Sequence, residues 1–299
     1  MPSALLIDHL TVRFGRTMAV DDLTVEVPQG KIYGFLGENG AGKTTTIRVL
    51  MGLLRPNSGR AEVLGENPLG GNADLLQRIG YVSDDRAMYR WMRVDEVLGF
   101  NAGLYQNWDK AHATRLRDEF ELEPRKRVKQ LSRGQIAKLA LLCALAPHPE
   151  LLILDEASSG LDPIVRRTIL EKLIDVASQE GTTIFLSSHL LEEVDRVAER
   201  IAILCRGRLI AEGDKDTVRA SLSRLIIPGA SQQSDLNGEQ WVLSSRRTDN
   251  ETQVVVRGLN GEKMELIKKR LGGNPQVVEM SLEDVFAEYT AWGKKTSQT

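Results

Sequence analysis

The run Gly37-Glu38-Asn39-Gly40-Ala41-Gly42-Lys43-Thr44 constrains this chain more than any other stretch. It fits G-x-x-x-x-G-K-[ST], in which glycines let the backbone wrap a phosphate with its N–H groups pointing inward. Its flanks supply the context the motif requires: Lys31 to Leu36 is expected as a buried strand and Thr44 to Leu54 as a helix. A helix that starts at the loop aims its positive end at the same anion. Lys43 then offers a point charge to the β- and γ-phosphates, and Thr44 a hydroxyl to Mg²⁺. Asn39, Gly40, Gly42 and Thr45 complete the cradle. A chance match in a glycine-rich turn would lack this strand–loop–helix order.

The rest of the chain alternates strand and helix signals, which predicts an α/β class with a largely parallel sheet. Leu5, Ile7, Leu10, Val12 and Phe14 are apolar in near alternation, and Leu23, Val25 and Val27 alternate cleanly, so the first residues form strands. Arg93 to Lys129 is expected to be helical, Ser132 to Ala146 a helix stopped by Pro147-His148-Pro149, and Pro163 to Ser178 a helix with Pro at its start. Leu151 to Leu154, Thr182 to Ser187 and Ile201 to Cys205 are short apolar runs of the kind that form buried strands. Leu151-Leu152-Ile153-Leu154-Asp155-Glu156 ends in two acids, and a parallel strand can deliver carboxylates at its C-terminal end beside the phosphate loop. Asp155 is expected to hold Mg²⁺, and Glu156 to polarise an attacking water as general base. On its own the pair is equally a strand end with solvated acids.

Charge and composition exclude several classes. Lys and Arg total 39 against 41 Asp and Glu, a net charge of −2, which does not suit a protein that holds nucleic acid by bulk charge. The two cysteines, Cys143 and Cys205, lie in apolar runs, so no disulfide framework is expected and a reducing compartment fits. The longest uninterrupted apolar run, about Leu139 to Pro147, falls well short of the roughly 20 residues of a spanning helix. Asp8 and His9 interrupt the start where a signal peptide would need its apolar stretch.

Leu131-Ser132-Arg133-Gly134-Gln135 lies just before the long helix. Small residues at a helix start offer N–H groups and the Ser132 hydroxyl to an anion, although Ser is also a favoured N-cap. The three motifs, in this order and spacing, resemble the ATP-binding subunit of ABC transporters across about residues 4–215. The resemblance implies a P-loop NTPase core, an N-terminal antiparallel β subdomain and a helical subdomain at about 90–150, within an ATP-binding domain over 1–218. It implies ATP and Mg²⁺ as ligands and ATP hydrolysis as the activity. Ser159-Gly160-Leu161-Asp162 is similar to the family's D-loop, and Ser187-Ser188-His189 to the segment whose histidine contacts the γ-phosphate. Phe14 is similar to the aromatic that stacks on adenine, and Val20 to the apolar residue flanking the base.

In that family ATP lies between two subunits, the phosphate loop of one facing the Ser132, Gly134 and Gln135 motif of the other. One copy of each motif here implies a homodimer or a pair with a related subunit. The resemblance further implies a separately encoded membrane permease, with this chain held at the inner face of the membrane through it. Two departures stand out. Ile79-Gly80-Tyr81-Val82-Ser83-Asp84 carries Asp84 at the metal-bridging position where Gln or Glu is usual, which predicts a looser or water-mediated metal contact. Ala157 follows Glu156 where Pro is usual.

Near residue 220 the character changes, and residues 219–299 are expected as a small α+β appendage. Gly229 to Ser234 is a polar loop signal; Trp241 to Ser244 and Gln253 to Val256 are strand-like; Glu262 to Leu271 and Leu282 to Trp292 are helical. Ser281-Leu282-Glu283-Asp284-Val285-Phe286 is similar to the C-terminal end of drug- and lipid-type exporter subunits, which points to export. Arg115, Arg117, Arg125, Lys126, Arg127 and Lys129 form a basic run, most simply a solvated helix face. Tyr89, Trp91 and Met92 belong either to a groove for a permease helix or to a core cluster. The competing reading is an ABC-type ATPase that acts on nucleic acid or ribosomes without a permease. Such relatives usually carry two modules or a coiled-coil insert, and neither is present. In a small-molecule kinase, the Ser132 motif and His189 would have no task.

Overall fold

The apolar alternation of the opening segment becomes two long paired strands, β1 (Ser3–Phe14) and β2 (Thr17–Pro28), joined by a tight turn at Gly15. A computed structural model describes residues 2–228, 236, 239–248 and 250–296. The expected loop Gly229 to Ser234 lies outside the described residues. The chain divides into two units, one ending at Leu209 and the other starting at Ile210. The boundary expected at residue 218 therefore falls within the second unit.

In the first unit β3 (Ile32–Gly37) leads through the phosphate loop into α1 (Lys43–Leu50). Helix α1 stops short of the expected Leu54, because the chain turns at Gly52, whose φ is +69°. The return strand β4 (Ser58–Val63) was not foreseen; it pairs with β1 to give a three-stranded antiparallel sheet, β2-β1-β4. Next come α2 (Ala73–Gln77), β5 (Ile79–Val82), α3 (Val94–Ala102) and α4 (Lys110–Glu119). The stretch expected as continuously helical from Arg93 is therefore two helices. Asp109 restarts the second by accepting the N–H groups of Ala111 and His112, each at 2.8 Å. Beyond α4 only a 3-10 turn, Val128–Gln130, precedes α5 (Arg133–Leu145). The basic run lies along this surface, half-buried or exposed throughout.

The unit continues with β6 (Leu151–Asp155), α6 (Pro163–Glu180), β7 (Thr183–Ser188), α7 (Leu191–Val197), β8 (Arg200–Cys205) and the start of β9 (Arg208–Asp214). The second sheet runs β5-β6-β7-β3-β8-β9. Every residue of β3, β6 and β7 is buried, as the uninterrupted apolar runs require of parallel strands covered on both faces. At roughly 1.5–3 kcal/mol for each large aliphatic side chain, this burial is the main force assembling the unit.

The second unit holds α8 (Lys215–Ala220), β10 (Leu222–Pro228), β11 (Val242–Arg247), β12 (Glu251–Arg257), α9 (Gly261–Leu271), β13 (Gln276–Val278) and α10 (Leu282–Thr296). Its sheet runs β11-β12-β10-β13, antiparallel at each junction, over a core that includes Leu225, Ile227, Val254, Val256, Ile267 and Leu271. The Ser281–Phe286 motif caps α10: the Ser281 hydroxyl accepts the Asp284 N–H at 3.1 Å, and Asp284 Oδ2 accepts the Ser281 N–H at 3.2 Å. Arg224 on β10 donates to Asp284 Oδ1 at 2.9 Å, so the motif ties helix to sheet.

Candidate functional site

Four neighbouring strands deliver the site at their carboxyl ends. Asp155 on β6 pairs with Ser187 on β7; Ser188 on β7 pairs with Leu36 on β3; Val82 on β5 pairs with Leu154 on β6. Thus Gly37, Asp155, His189 and Asp84 all leave the sheet at one edge, the place where parallel α/β sheets bind ligands. The resulting cleft is lined by Ala19, Asn39, Gly40, Gly42, Lys43, Thr44, Thr45, Asp84 and Glu156.

The loop backbone demands glycine at position 42. Its φ is +107°, and a Cβ there would stand 2.5 Å from the Ala19 carbonyl oxygen. Lys43 is buried and donates to the carbonyls of Gly37 (2.6 Å) and Glu38 (3.3 Å), so its ammonium is fixed across the loop. The same nitrogen lies 3.0 Å from Glu156 Oε1, an ion pair that is not an aligned hydrogen bond. The Thr44 hydroxyl donates to Asp155 Oδ1 at 3.2 Å, and the Ser187 hydroxyl to the same oxygen at 3.0 Å. Burial raises the Asp155 carboxyl above its ordinary range, against these two hydrogen bonds, which lower it.

Glu156 holds the centre. Its φ of +51° is the left-handed region, unusual for a residue with a Cβ, at a cost of order 1–3 kcal/mol. Three backbone contacts hold it there. Its N–H donates to the Ser187 carbonyl at 3.1 Å, and its own carbonyl accepts from the Ser159 N–H at 3.0 Å and from Arg86 Nη2 at 3.2 Å. Arg86 Nη2 also donates to the Ser159 carbonyl at 2.9 Å. The Glu156 carboxylate bridges Lys43 through Oε1 and His189 Nδ1 through Oε2, the latter at 2.6 Å. Ala157 follows Glu156, so no pre-proline restriction acts on the Glu156 backbone. Arg86 supplies a restraint in its place.

A buried polar network lies behind the histidine. Glu193 on α7 accepts the Ser158 hydroxyl in a short hydrogen bond and the Ser188 hydroxyl at 3.3 Å, and Arg166 on α6 stands 3.0 Å from its other oxygen. Burial raises the Glu193 carboxyl, while the Ser158 hydrogen bond and Arg166 pull it down. The network couples the segment after Glu156 to the segment before His189. Arg86, Ser158 and Glu193 were not picked out from sequence, since each is an ordinary residue type outside any spaced motif.

The comparisons with known proteins agree with this geometry. The family described as ABC transporter matches residues 20–159. The bacitracin transport ATP-binding protein BcrA of Bacillus licheniformis is 38% identical over 214 residues, 71% of this chain and 70% of that protein. The chain belongs to the ABC transporter ATP-binding proteins. The daunorubicin resistance ATP-binding protein DrrA3 of Streptomyces coeruleorubidus is 37% identical over 229 residues, 73% of this chain and 70% of its own. A solved ATP-binding subunit of an ABC transporter superposes with a TM-score of 0.67 at 29% identity, over 73% of this chain and 92% of that one. As an ABC ATP-binding protein the chain is an ATPase that serves a transporter. Among the described residues no helix is long and apolar enough to cross a membrane.

Several residues picked out in this ABC subunit stand outside its cleft. Ser132 and Gln135 form a reciprocal cap on α5, each backbone N–H donating to the other's side chain at 3.1 Å. Gly134 packs on Val165, whose Cγ2 would lie 2.8 Å from an added Cβ. Asp162 caps α6 through the N–H groups of Ile164 and Val165, both at 3.1 Å. Phe14 ends β1 and is 51% exposed. Val20 needs a correction: it is fully buried in the core beneath Gly42 and has no surface to offer a base. Its neighbour Ala19 lines the cleft instead. Trp91 is 63% exposed, and Tyr89 and Met92 line a groove of about 230 Å³ with Val97, Phe100 and Tyr105. These residues are therefore not a closed core cluster.

Proposed function

We propose that this chain hydrolyses ATP at the Lys43–Glu156 cleft to drive a separately encoded membrane permease that exports its substrate. The observation that carries the catalytic part is the Glu156 carboxylate, held between the Lys43 ammonium at 3.0 Å and the His189 ring at 2.6 Å. The loop N–H groups, with Asn39, Gly40, Gly42 and Thr45, cradle the phosphates, and Lys43 neutralises their β/γ charge. Glu156 takes the proton of the attacking water, and His189 orients that carboxylate and faces the γ-phosphate. Thr44, Asp155 and Asp84 offer only oxygen donors, which suits Mg²⁺. Bound there, that ion would supply neutralisation of the charge that develops on the phosphates. Asp84 is exposed at the cleft and one methylene shorter than Glu or Gln, which favours contact through water.

Ser132, Gly134, Gln135 and Asp162 do not line the cleft of their own chain, which supports a sandwich in which a second subunit supplies them. Phe14, exposed at the end of β1, suits a stacking role on adenine. The names of the bacitracin and daunorubicin relatives favour a drug-like export substrate. Through its permease the chain would sit at the inner membrane face. Purification of the tagged chain from solubilised membranes is expected to recover a polytopic membrane protein in stoichiometric amount. Recovery of ribosomal proteins or nucleic acid, with none of the chain in membranes, would overturn the transport reading.

Arg86 acts here as a positioning residue. Arg86→Ala removes both hydrogen bonds that pin the Glu156 and Ser159 carbonyls, and kcat is expected to fall roughly tenfold with KM for ATP little changed. A matching rise in KM would show that Arg86 serves binding instead.

A further inference from the structure

Away from the nucleotide cleft, four side chains from three segments of the first unit converge. His112 is buried on α4, Asp109 caps that helix, His148 stands between α5 and β6, and Glu180 ends α6. His148 Nε2 lies 3.1 Å from His112 Nδ1 and 3.2 Å from Asp109 Oδ2, while its Nδ1 lies 3.0 Å from Glu180 Oε2. One ligand atom from each of His112, His148 and Glu180 falls within 4.8 Å of the other two. We infer that this cluster is a binding site for a divalent transition-metal ion of the zinc class.

The geometry and the donor chemistry agree. Two imidazole nitrogens at about 2.0–2.1 Å from one tetrahedral ion stand roughly 3.3 Å apart, close to the 3.1 Å between His112 Nδ1 and His148 Nε2, the ring nitrogen that also faces Asp109 Oδ2, while Glu180 holds the opposite ring nitrogen and orients the imidazole. Two imidazoles with a carboxylate suit Zn²⁺, Co²⁺ or Ni²⁺, whereas Mg²⁺ and Ca²⁺ prefer oxygen alone. Asp109 is already oriented, because its Oδ1 accepts two backbone N–H groups and leaves Oδ2 turned to His148. His148 has a φ of +51°, a strained backbone for a residue with a Cβ, and it places the ring with its centroid 4.3 Å from that of His112. A cavity of about 310 Å³, lined by His148, Glu150, Glu180 and Thr182, gives an ion access from solvent. An ion bound here would fasten the start of α4 and the segment before β6 to the end of α6, without touching the nucleotide cleft.

The test uses the full chain, freed of metal by a chelator and titrated with Co²⁺ alone. Visible d–d absorption is expected to saturate at one equivalent and to be displaced by Zn²⁺. Zinc at a hundredfold excess over its dissociation constant is expected to raise the melting temperature by roughly 5 °C. His148→Gln, which removes a ligand, should weaken Co²⁺ binding by about a hundredfold or more, and Glu180→Gln, which removes its orienting partner, by roughly 10- to 100-fold; both side chains are partly exposed. Both variants should keep normal ATP turnover, which verifies their fold and leaves buried His112 out of the test. No saturable Co²⁺ absorption would overturn the proposal. So would absorption unchanged in both variants, which would place the ion elsewhere. A melting temperature that follows pH but not metal would reduce the cluster to a shared-proton network and equally overturn it.

Discussion

Glu156→Gln is expected to bind ATP as well as the parent chain and to turn it over roughly 10²–10⁴-fold more slowly, the usual worth of a positioned general base. The substitution keeps shape and removes basicity. Its amide oxygen can face Lys43 and its NH₂ can donate to His189 Nδ1, so both contacts at 3.0 and 2.6 Å survive in altered form. Lys43 remains satisfied by the Gly37 and Glu38 carbonyls, so no buried charge is orphaned. With binding intact and hydrolysis blocked, the ATP-bound dimer should accumulate. Phosphate release, nucleotide titration and light scattering with and without ATP measure the three parts. A variant that hydrolyses at the parent rate removes Glu156 from its role.

The motifs that announce this site in the sequence are those whose chemistry and fold use the same residues. Gly42 is needed both for a loop with φ of +107° and for close approach to an anion, so the spacing alone carries it. Asp155 and Glu156 were legible because the four apolar residues before them, too few for a helix and bounded by Pro149, suit a buried strand, and its carboxyl end lies beside the loop. The strands β10 and β13 were not legible. The first mixes Arg224 and two serine or proline positions with its apolar residues, and the second is three exposed residues that owe their form to pairing with β10. The run Arg93–Lys129 has helical composition throughout, yet Gly103 and the Asp109 cap divide it.

What the sequence hides is how residues act through one another. Arg86 reaches the Glu156 carbonyl, 70 positions away in the chain, only because β5 lies beside β6. Glu193 unites Ser158, Ser188 and Arg166 from three segments, and none of these residue types is unusual where it stands. Val20 shows the opposite error: a resemblance assigned it a surface role, while its register opposite Val12 turns it into the core. Alternation along β2 carries that information, but only once the buried face of the sheet is known.

Lys43→Ala is expected to act on binding itself. Hydrogen bonds to charged groups are worth about 1.5–3 kcal/mol, so loss of the ammonium should weaken ATP affinity by at least 10- to 100-fold. A second effect adds to it. Glu156 Oε1 is buried, and Lys43 is its partner; without that cation an uncompensated carboxylate faces the place where the γ-phosphate must lie. The two contributions separate in a double-mutant cycle, because residues in direct contact are not additive. Lys43→Ala combined with Glu156→Gln removes the stranded charge along with the cation, so it should bind ATP more tightly than Lys43→Ala alone while hydrolysing no faster. Nucleotide titration of the four proteins decides the matter. If affinity in the double variant equals that of Lys43→Ala, repulsion from Glu156 contributes nothing. If Lys43→Ala binds ATP as the parent does, the loop is not the phosphate site.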